Sequence, residues 1–103
     1  MNCSRNDVVL LPIPFTDLTS RKVRPAVVIG QTGSDLFLVP ISSQLPNTDL
    51  LLQEWHSAGL NVTCGIKAQL ATVENHLVVK KVGVLSVLDQ QRLNARLRAW
   101  LQL

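Results

Sequence analysis

The sequence has few aromatic residues, and this scarcity limits what its core can contain. Two Trp, two Phe and no Tyr make up 4% of the 103 residues, whereas hydrophobic residues as a whole make up 47%. The core must therefore be built from Val, Leu and Ile. A chain of this length predicts one domain over residues 1–103, and so small a domain gains from oligomerisation because alone it buries a modest share of its surface.

Cysteines and long apolar runs are also scarce. Cys3 and Cys64 form no CxxC or Cys/His pattern, and His56 and His76 do not complete a set of closely spaced zinc ligands. We therefore expect no metal and no cofactor, but two reduced thiols, with Cys64 packed inside. No apolar run reaches the roughly 18 residues of a membrane span, and residues 1–6 lack the apolar segment of a signal peptide. These absences predict a cytoplasmic protein that does not associate with membranes.

The net charge of +3 is unevenly distributed along the chain. Residues 1–55 carry four basic and five acidic side chains, whereas residues 56–103 carry six basic and two acidic ones. A basic half can attract a polyphosphate partner or an acidic protein segment. It is equally typical of an ordinary solvated face, so the charge alone does not choose between these interpretations.

Apolar, β-branched segments dominate the first two thirds of the chain and predict a β-rich fold. We predict strands at residues 8–12, 24–30, 36–41, 63–70 and 78–85. The second and third form a hairpin around the polar residues 31–35. Residues 50–55 are too few for their periodicity to separate strand from helix. Short strands in this number favour a small, strongly bent β-barrel.

The C-terminal segment changes to a helical period. Ser86 is a credible N-cap, and Asp89 three residues later completes a capping box. Four apolar residues then recur at helical spacing and form one stripe: Leu93, Leu97, Trp100 and Leu101. Three arginines lie off this stripe, where we expect them to face water or a partner: Arg92, Arg96 and Arg98. The pattern predicts a helix over residues 86–101 that caps the barrel.

Arg24 begins a predicted strand and is a candidate for binding an anionic ligand. The planar fork of a guanidinium can hold two phosphate oxygens at once. Pro25 restricts the backbone of Arg24 to extended conformations, which helps to aim the side chain. The alternative is a strand-edge residue in a surface salt bridge, for example with Asp17.

Ser42, Ser43 and Gln44 follow the strand at residues 36–41. The serine hydroxyls can donate and accept hydrogen bonds, so they suit a phosphate oxygen or a ribose hydroxyl. No Ser-His-Asp order is present, and we do not expect the serines to act as nucleophiles. The alternative is that they cap the turn after the strand.

A third candidate group lies on the predicted strand at residues 63–70. Lys67 and Gln69 would project from the same face of that strand, because side chains alternate. Lys67 brings positive charge, and the amide of Gln69 can recognise a base edge. The alternative is the solvent-facing side of an amphipathic strand.

Six segments in sequence resemble the MazF/PemK family of toxin–antitoxin endoribonucleases. They are DVVLLPIPFTDL, RPAVVI, VPISSQ, AGL, QLATVE and KKVGVLS, and together they cover most of the chain. The resemblance implies the small SH3-like β-barrel with a C-terminal helix that MazF, PemK and CcdB toxins share. It also implies a homodimer that cuts single-stranded RNA without a metal, leaving a cyclic phosphate and a 5′-hydroxyl. A cognate antitoxin would block the RNA site.

The resemblance assigns roles by position. Arg24 matches the arginine that acts on the scissile phosphate as an acid or a charge stabiliser, and Ser42 matches a catalytic Thr or Ser. The substrate-binding positions that follow from the resemblance are Thr16, Asp17, Ser43, Gln44, Thr63, Lys67 and Gln69.

Several positions depart from the family pattern. Lys67 and Gln69 stand where Arg and Asp are common, Asn6 stands where Gly is common, and the loop at residues 19–22 lacks a histidine that some members carry. An amide does not titrate, so Gln69 cannot move a proton. Two functions therefore stay open. One is an mRNA-cutting toxin, which Arg24 and Ser42 favour; the other is a weakly active or non-catalytic toxin-fold barrel that binds RNA, antitoxin or a target such as DNA gyrase.

Overall fold

Seven β-strands and one C-terminal α-helix make up the fold in the computed structural model, which describes residues 2–12 and 22–103. The strands are β1 (Asp7–Pro12), β2 (Val23–Thr32), β3 (Asp35–Ser42), β4 (Leu50–Leu51), β5 (Gly65–Ile66), β6 (Ala71–Glu74) and β7 (Lys80–Val84). The helix is α1 (Val87–Leu101), and two short 3-10 helices lie at Leu45–Asn47 and Asn75–Leu77. No helix within these described ranges is long and apolar enough to cross a membrane.

The strands form one antiparallel sheet in the order β4-β5-β3-β2-β1-β7, with β6 also paired to β3. The predicted fold class, mainly β with one C-terminal helix, is confirmed. The predicted closure into a barrel is not, because the outer strands β4 and β7 are not paired with each other in the described part of the chain. β4 has only two residues, so it offers too few backbone groups to continue the ladder.

Each face of the sheet carries its own aliphatic core, as the shortage of aromatic residues predicts. The core under α1 includes Val8, Val27, Val39, Ile41, Leu93 and Leu97. The core on the opposite face includes Cys3, Val9, Leu11, Ala26, Val28, Leu38, Val73 and Val78. Neither cysteine forms a disulfide within the described residues and both are buried, which confirms the prediction for Cys64.

The predicted strands at residues 8–12, 24–30, 36–41 and 78–85 correspond to β1, β2, β3 and β7. The predicted strand at residues 63–70 is wrong. β5 pairs with the end of β3, whereas the unpredicted β6 pairs with its beginning. The chain must therefore leave one ladder at residue 66 and enter another at residue 71.

The predicted N-cap of α1 is confirmed, because Ser86 Oγ accepts a hydrogen bond from Asp89 N at 3.1 Å. The other half of the capping box is absent. The Asp89 carboxylate instead accepts from the backbone N–H groups of Gln53 and Glu54, at 3.0 and 2.8 Å. Of the apolar stripe, Leu93 and Leu97 are buried, whereas Leu101 is 43% exposed.

Two of the three helix arginines also bind backbone carbonyl groups near β4, although Arg96 is exposed as predicted and Arg92 is partly exposed. Arg92 donates to Leu51 O at 2.6 Å and to Asp89 Oδ1 at 2.9 Å. Arg96 donates to Asp49 O at 2.6 Å. These contacts tie α1 to the β4 edge, because the carbonyl groups of this short strand lie within reach of the helix. Arg98 is exposed, as expected.

Candidate functional site

Arg24, near the start of β2, and Ser42, at the end of β3, lie at the same end of the sheet. The paired residues Val28 and Leu38, Val27 and Val39, and Ala26 and Pro40 define the register of this part of the two strands. The last paired residues are Ala26 and Pro40, and the same register extended by two residues would set Arg24 opposite Ser42. Residues opposite each other on neighbouring strands share a face, with Cβ atoms about 5 Å apart.

A β-bulge decides which serine faces Arg24. Near the hairpin turn, Thr32 pairs with Asp35 and Gly30 pairs with Phe37. That register would bring Arg24 opposite Ser43. The register shifts by one residue between Val28 and Gly30, so Ser42 takes that place instead. This register shift therefore determines which serine the strand pairing directs towards Arg24.

Arg24 lies at the exposed end of the sheet face that is opposite α1. It pairs with Leu11 of β1, which is fully buried in the core of that face. Arg24 itself is exposed, and its guanidinium makes no hydrogen bond or ion pair with any residue in the ranges 2–12 and 22–103. Its alternative partner Asp17 lies outside the described residues, as does the candidate Thr16. No described residue therefore binds the guanidinium group of Arg24.

The Ser42 hydroxyl caps the turn after β3, and its proton stays available for a hydrogen bond to a ligand. Its Oγ accepts a hydrogen bond from Gln44 N at 3.0 Å, which confirms the predicted turn-capping role. That bond uses a lone pair, so the hydroxyl proton can still be donated. Ser43 and Gln44 are exposed next to it, and Gln44 makes no side-chain cap for the 3-10 helix that begins at Leu45.

Lys67 lies on the other side of β3 from Arg24. Its backbone N–H donates to Pro40 O at 2.9 Å, one residue after β5 ends. Ala26, Pro40 and Lys67 therefore form a row across the sheet, two residues along β3 from the pair of Ser42 and Gly65. Lys67 is half-buried. The structure thus brings two cationic side chains and one hydroxyl to the same end of β3.

Thr63 and Gln69 do not join this row. The strand that was predicted to align Lys67 with Gln69 ends at Ile66, and Gln69 lies in the exposed connection to β6. Thr63 precedes Cys64, whose carbonyl oxygen accepts from Leu52 N at 3.0 Å. Thr63 is exposed and lies two residues before β5 begins at Gly65.

Neither histidine is placed with Arg24 and Ser42 by strand pairing within the described chain. His76 Nδ1 lies 3.0 Å from Glu74 Oε2, and Glu74 pairs with Asp35 at the beginning of β3. The eight residues of β3 separate that end from Ser42 by about 23 Å at roughly 3.3 Å per residue. His56 lies in a turn, edge-on to Trp55 with ring centroids 5.8 Å apart.

Sequence reasoning missed Asp49, which holds the segment around Lys67. Asp49 N donates to Ile66 O, and Asp49 Oδ2 accepts from Ala68 N, both at 2.8 Å. In the sequence Asp49 is one acidic residue at the end of a polar loop, and no local spacing indicates a partner 19 residues away.

The fold of this chain is similar to that of a solved endoribonuclease in complex with its cognate antitoxin, from Mycobacterial species. The two superpose with a TM-score of 0.73 and 17% sequence identity, over 100% of this chain and 97% of that one. No curated protein matches the sequence significantly.

The sequence itself matches the model of the PemK-like, MazF-like toxin family of type II toxin–antitoxin systems over residues 4–101. This match covers nearly the whole chain of 103 residues. The chain therefore belongs to the PemK-like, MazF-like toxins of type II toxin–antitoxin systems.

Proposed function

We propose that this toxin is a sequence-specific endoribonuclease that cuts single-stranded mRNA without a metal, through the 2′-hydroxyl of the RNA itself. The observation that carries the proposal is that the strand register brings Arg24 and Ser42 to the same exposed end of the sheet, with Lys67 beside Pro40, two residues before Ser42 on β3. The solved endoribonuclease with the same fold supports it.

The reaction needs charge stabilisation more than it needs a protein nucleophile. The ribose 2′-oxygen forms a bond to phosphorus, and the bond from phosphorus to the 5′-oxygen breaks. The proton lost by the 2′-hydroxyl is matched by one gained at the 5′-oxygen, so the products are a 2′,3′-cyclic phosphate and a 5′-hydroxyl. Negative charge builds up on the phosphate oxygens at the transition state, where prepared donors are most effective.

Three side chains divide this task in our proposal. Arg24 stabilises the scissile phosphate through its guanidinium fork, or supplies the proton to the leaving oxygen. Ser42 donates its hydroxyl proton to a phosphate oxygen while its own oxygen still caps the turn. Lys67 holds a neighbouring phosphate as a point charge. We assign base recognition to the other substrate-binding positions that the family resemblance gives: Thr16, Asp17, Ser43, Gln44, Thr63 and Gln69.

A non-catalytic toxin is the second candidate. The observation that favours it is Gln69, an exposed amide at a position where a titratable carboxylate is common in the family. Such a toxin would bind RNA, antitoxin or another target such as DNA gyrase, without cutting RNA.

Cleavage of a long single-stranded RNA in EDTA separates the two candidates. We expect fragments whose ends carry 2′,3′-cyclic phosphate and 5′-hydroxyl groups, as shown by enzymatic end-labelling. RNA that stays intact at a large molar excess of protein would contradict the endoribonuclease proposal and favour the non-catalytic one.

We also infer that the toxin acts in the cytoplasm as a homodimer controlled by a cognate antitoxin. The solved relative is itself in complex with its antitoxin. Light scattering should give twice the chain mass of 11.4 kDa. A small open reading frame upstream should encode a protein that binds the toxin and restores growth of cells that express it. The absence of such a gene would contradict the antitoxin assignment.

A further inference from the structure

Asp49 connects three parts of the molecule next to the proposed RNA site. Its backbone N–H donates to Ile66 O in β5, and its Oδ2 accepts from Ala68 N. Its carbonyl oxygen accepts from Arg96 Nη1 of α1 at 2.6 Å. One residue therefore joins the end of β5, the connection that follows it and the C-terminal helix.

The connection between β5 and β6 depends on such external bonds. Residues 67–70 belong to no strand, so no ladder fixes their backbone. Two backbone hydrogen bonds hold the start of the connection: Lys67 N to Pro40 O and Ala68 N to Asp49 Oδ2. The Lys67 side chain is long and flexible, so its direction depends on a fixed backbone on both sides.

We propose that Asp49 is a positioning residue of the RNA site, which holds the backbone after Lys67 so that the ammonium group meets a substrate phosphate. Arg96 supports it by fixing the Asp49 carbonyl from the helix. This inference rests on the proposed function, because it concerns the same RNA site. Asp49 contacts no substrate in this account and acts through Lys67.

The charge of Asp49 makes the proposal sharply testable. A carboxylate beside an RNA groove repels phosphate, so its removal should tighten RNA binding if charge were its main effect. If the hydrogen bond to Ala68 N is what matters, removing the acceptor should weaken binding. Asp49→Asn removes the charge and keeps an acceptor oxygen, whereas Asp49→Ala removes both. Asp49→Ala should therefore bind RNA more weakly than the wild type, whereas Asp49→Asn should bind it equally well or more tightly.

The experiment measures kcat and KM for RNA cleavage by the full-length protein at several salt concentrations. For Asp49→Ala we expect KM to rise about fivefold with kcat nearly unchanged, the loss typical of one exposed charge contact. The slope of log KM against log salt should decrease by about 0.7, the value for one phosphate contact on a single strand. Asp49→Asn should keep the wild-type KM or lower it. Asn47→Ala is the matched control, because Asn47 is exposed in the same loop and only its backbone N–H is bonded.

Two further comparisons link the effect to Lys67 and to the helix. In the Lys67→Ala background, Asp49→Ala should have no additional effect on KM, because the group that it positions is already gone. Arg96→Ala should raise KM more than Arg98→Ala does. Both variants remove one positive charge from α1, but only Arg96 contacts Asp49.

Each result decides between the proposals. Equal KM changes in Asp49→Ala and Asp49→Asn, or a full Asp49→Ala effect in the Lys67→Ala background, would overturn the positioning role. The endoribonuclease proposal would then still stand, because the wild-type protein cuts RNA. Failure of the wild-type protein to cut RNA would instead overturn the proposed function, and this inference with it.

Discussion

Replacement of Asp89 with asparagine should destabilise the protein strongly, because this buried carboxylate joins the helix to the sheet edge. The side chain is fully buried and accepts hydrogen bonds from Gln53 N, Glu54 N and Arg92 Nη1. No other described residue in the loop after β4 supplies an acceptor to these two backbone donors. An asparagine side chain has one acceptor oxygen in place of two.

The size of the effect follows from the contacts that are lost. The amide nitrogen of the substituted side chain would face a donor, so either Gln53 or Glu54 loses its partner, and Arg92 loses its counter-ion. An unpaired buried donor costs about 1–3 kcal/mol, and breaking a buried ion pair costs about 3–5 kcal/mol. Because Arg92 and the loop retain some solvent contact, we expect a loss of about 3 kcal/mol in the free energy of unfolding. At roughly 4–5 °C per kcal/mol for this chain length, Tm falls by about 12–15 °C.

Thermal and urea unfolding followed by circular dichroism measure this change. Asp35→Asn is the matched control, since it makes the same chemical change at the hairpin, where Asp35 makes no side-chain hydrogen bond within the described residues. A Tm for Asp89→Asn within about 3 °C of this control would refute the assignment of Asp89 as a stabilising link.

Three other predictions concern the backbone and the thiols. Asn6 has a φ of 77°, so Asn6→Ala should lower the unfolding free energy by about 1 kcal/mol in urea titrations, whereas Asn6→Gly should leave it unchanged or raise it. Gly59 has a φ of 87°, and an added Cβ would clash with the carbonyl oxygen of Val82. Gly59→Ala should therefore cost about 3 kcal/mol or more, and a Tm equal to that of the wild type would disprove this packing. Burial raises the pKa of the Cys3 and Cys64 thiols above their ordinary value of 9.0. Their contribution to stability is thus fully present below pH 9 and declines as the pH rises beyond it, because the unfolded chain releases these protons first. Fast modification of both thiols by a disulfide reagent at pH 8 without denaturant would contradict this burial.

Local signals in the sequence predict the elements that depend on near neighbours. Ser86 and the apolar spacing after it predict α1, and the polar turn around Gly33, which has a φ of 57°, predicts the hairpin of β2 and β3. The division between β5 and β6 is not predictable in this way. It depends on which part of β3 each strand meets, and that choice is made by residues about 30 positions away.

For the candidate site too, local sequence signals predict the residues but not their long-range contacts. Arg24 and Ser42 are recognisable as polar residues at strand ends, and the resemblance to a toxin family points to both. Which serine the register directs towards Arg24 is another matter, because the pairing near the hairpin turn extrapolates to Ser43, whereas the pairing after the shift between Val28 and Gly30 extrapolates to Ser42. The contacts of Asp49 and Asp89 with residues far along the chain leave no local pattern to find.

We expect Arg24 to stabilise the transition state of RNA cleavage, and a comparison of cleavage and binding in Arg24→Ala tests this role directly. Single-turnover cleavage of RNA in EDTA should fall by about 100-fold or more, because a donor to the transition state is lost, while the Kd for RNA changes only a few-fold. Arg98→Ala, which removes the same charge from an exposed site on α1, should change neither by more than a few-fold. Cleavage by Arg24→Ala at the wild-type rate would contradict a role of Arg24 in stabilising the transition state. A loss of cleavage that a parallel loss of binding fully explains would contradict it as well.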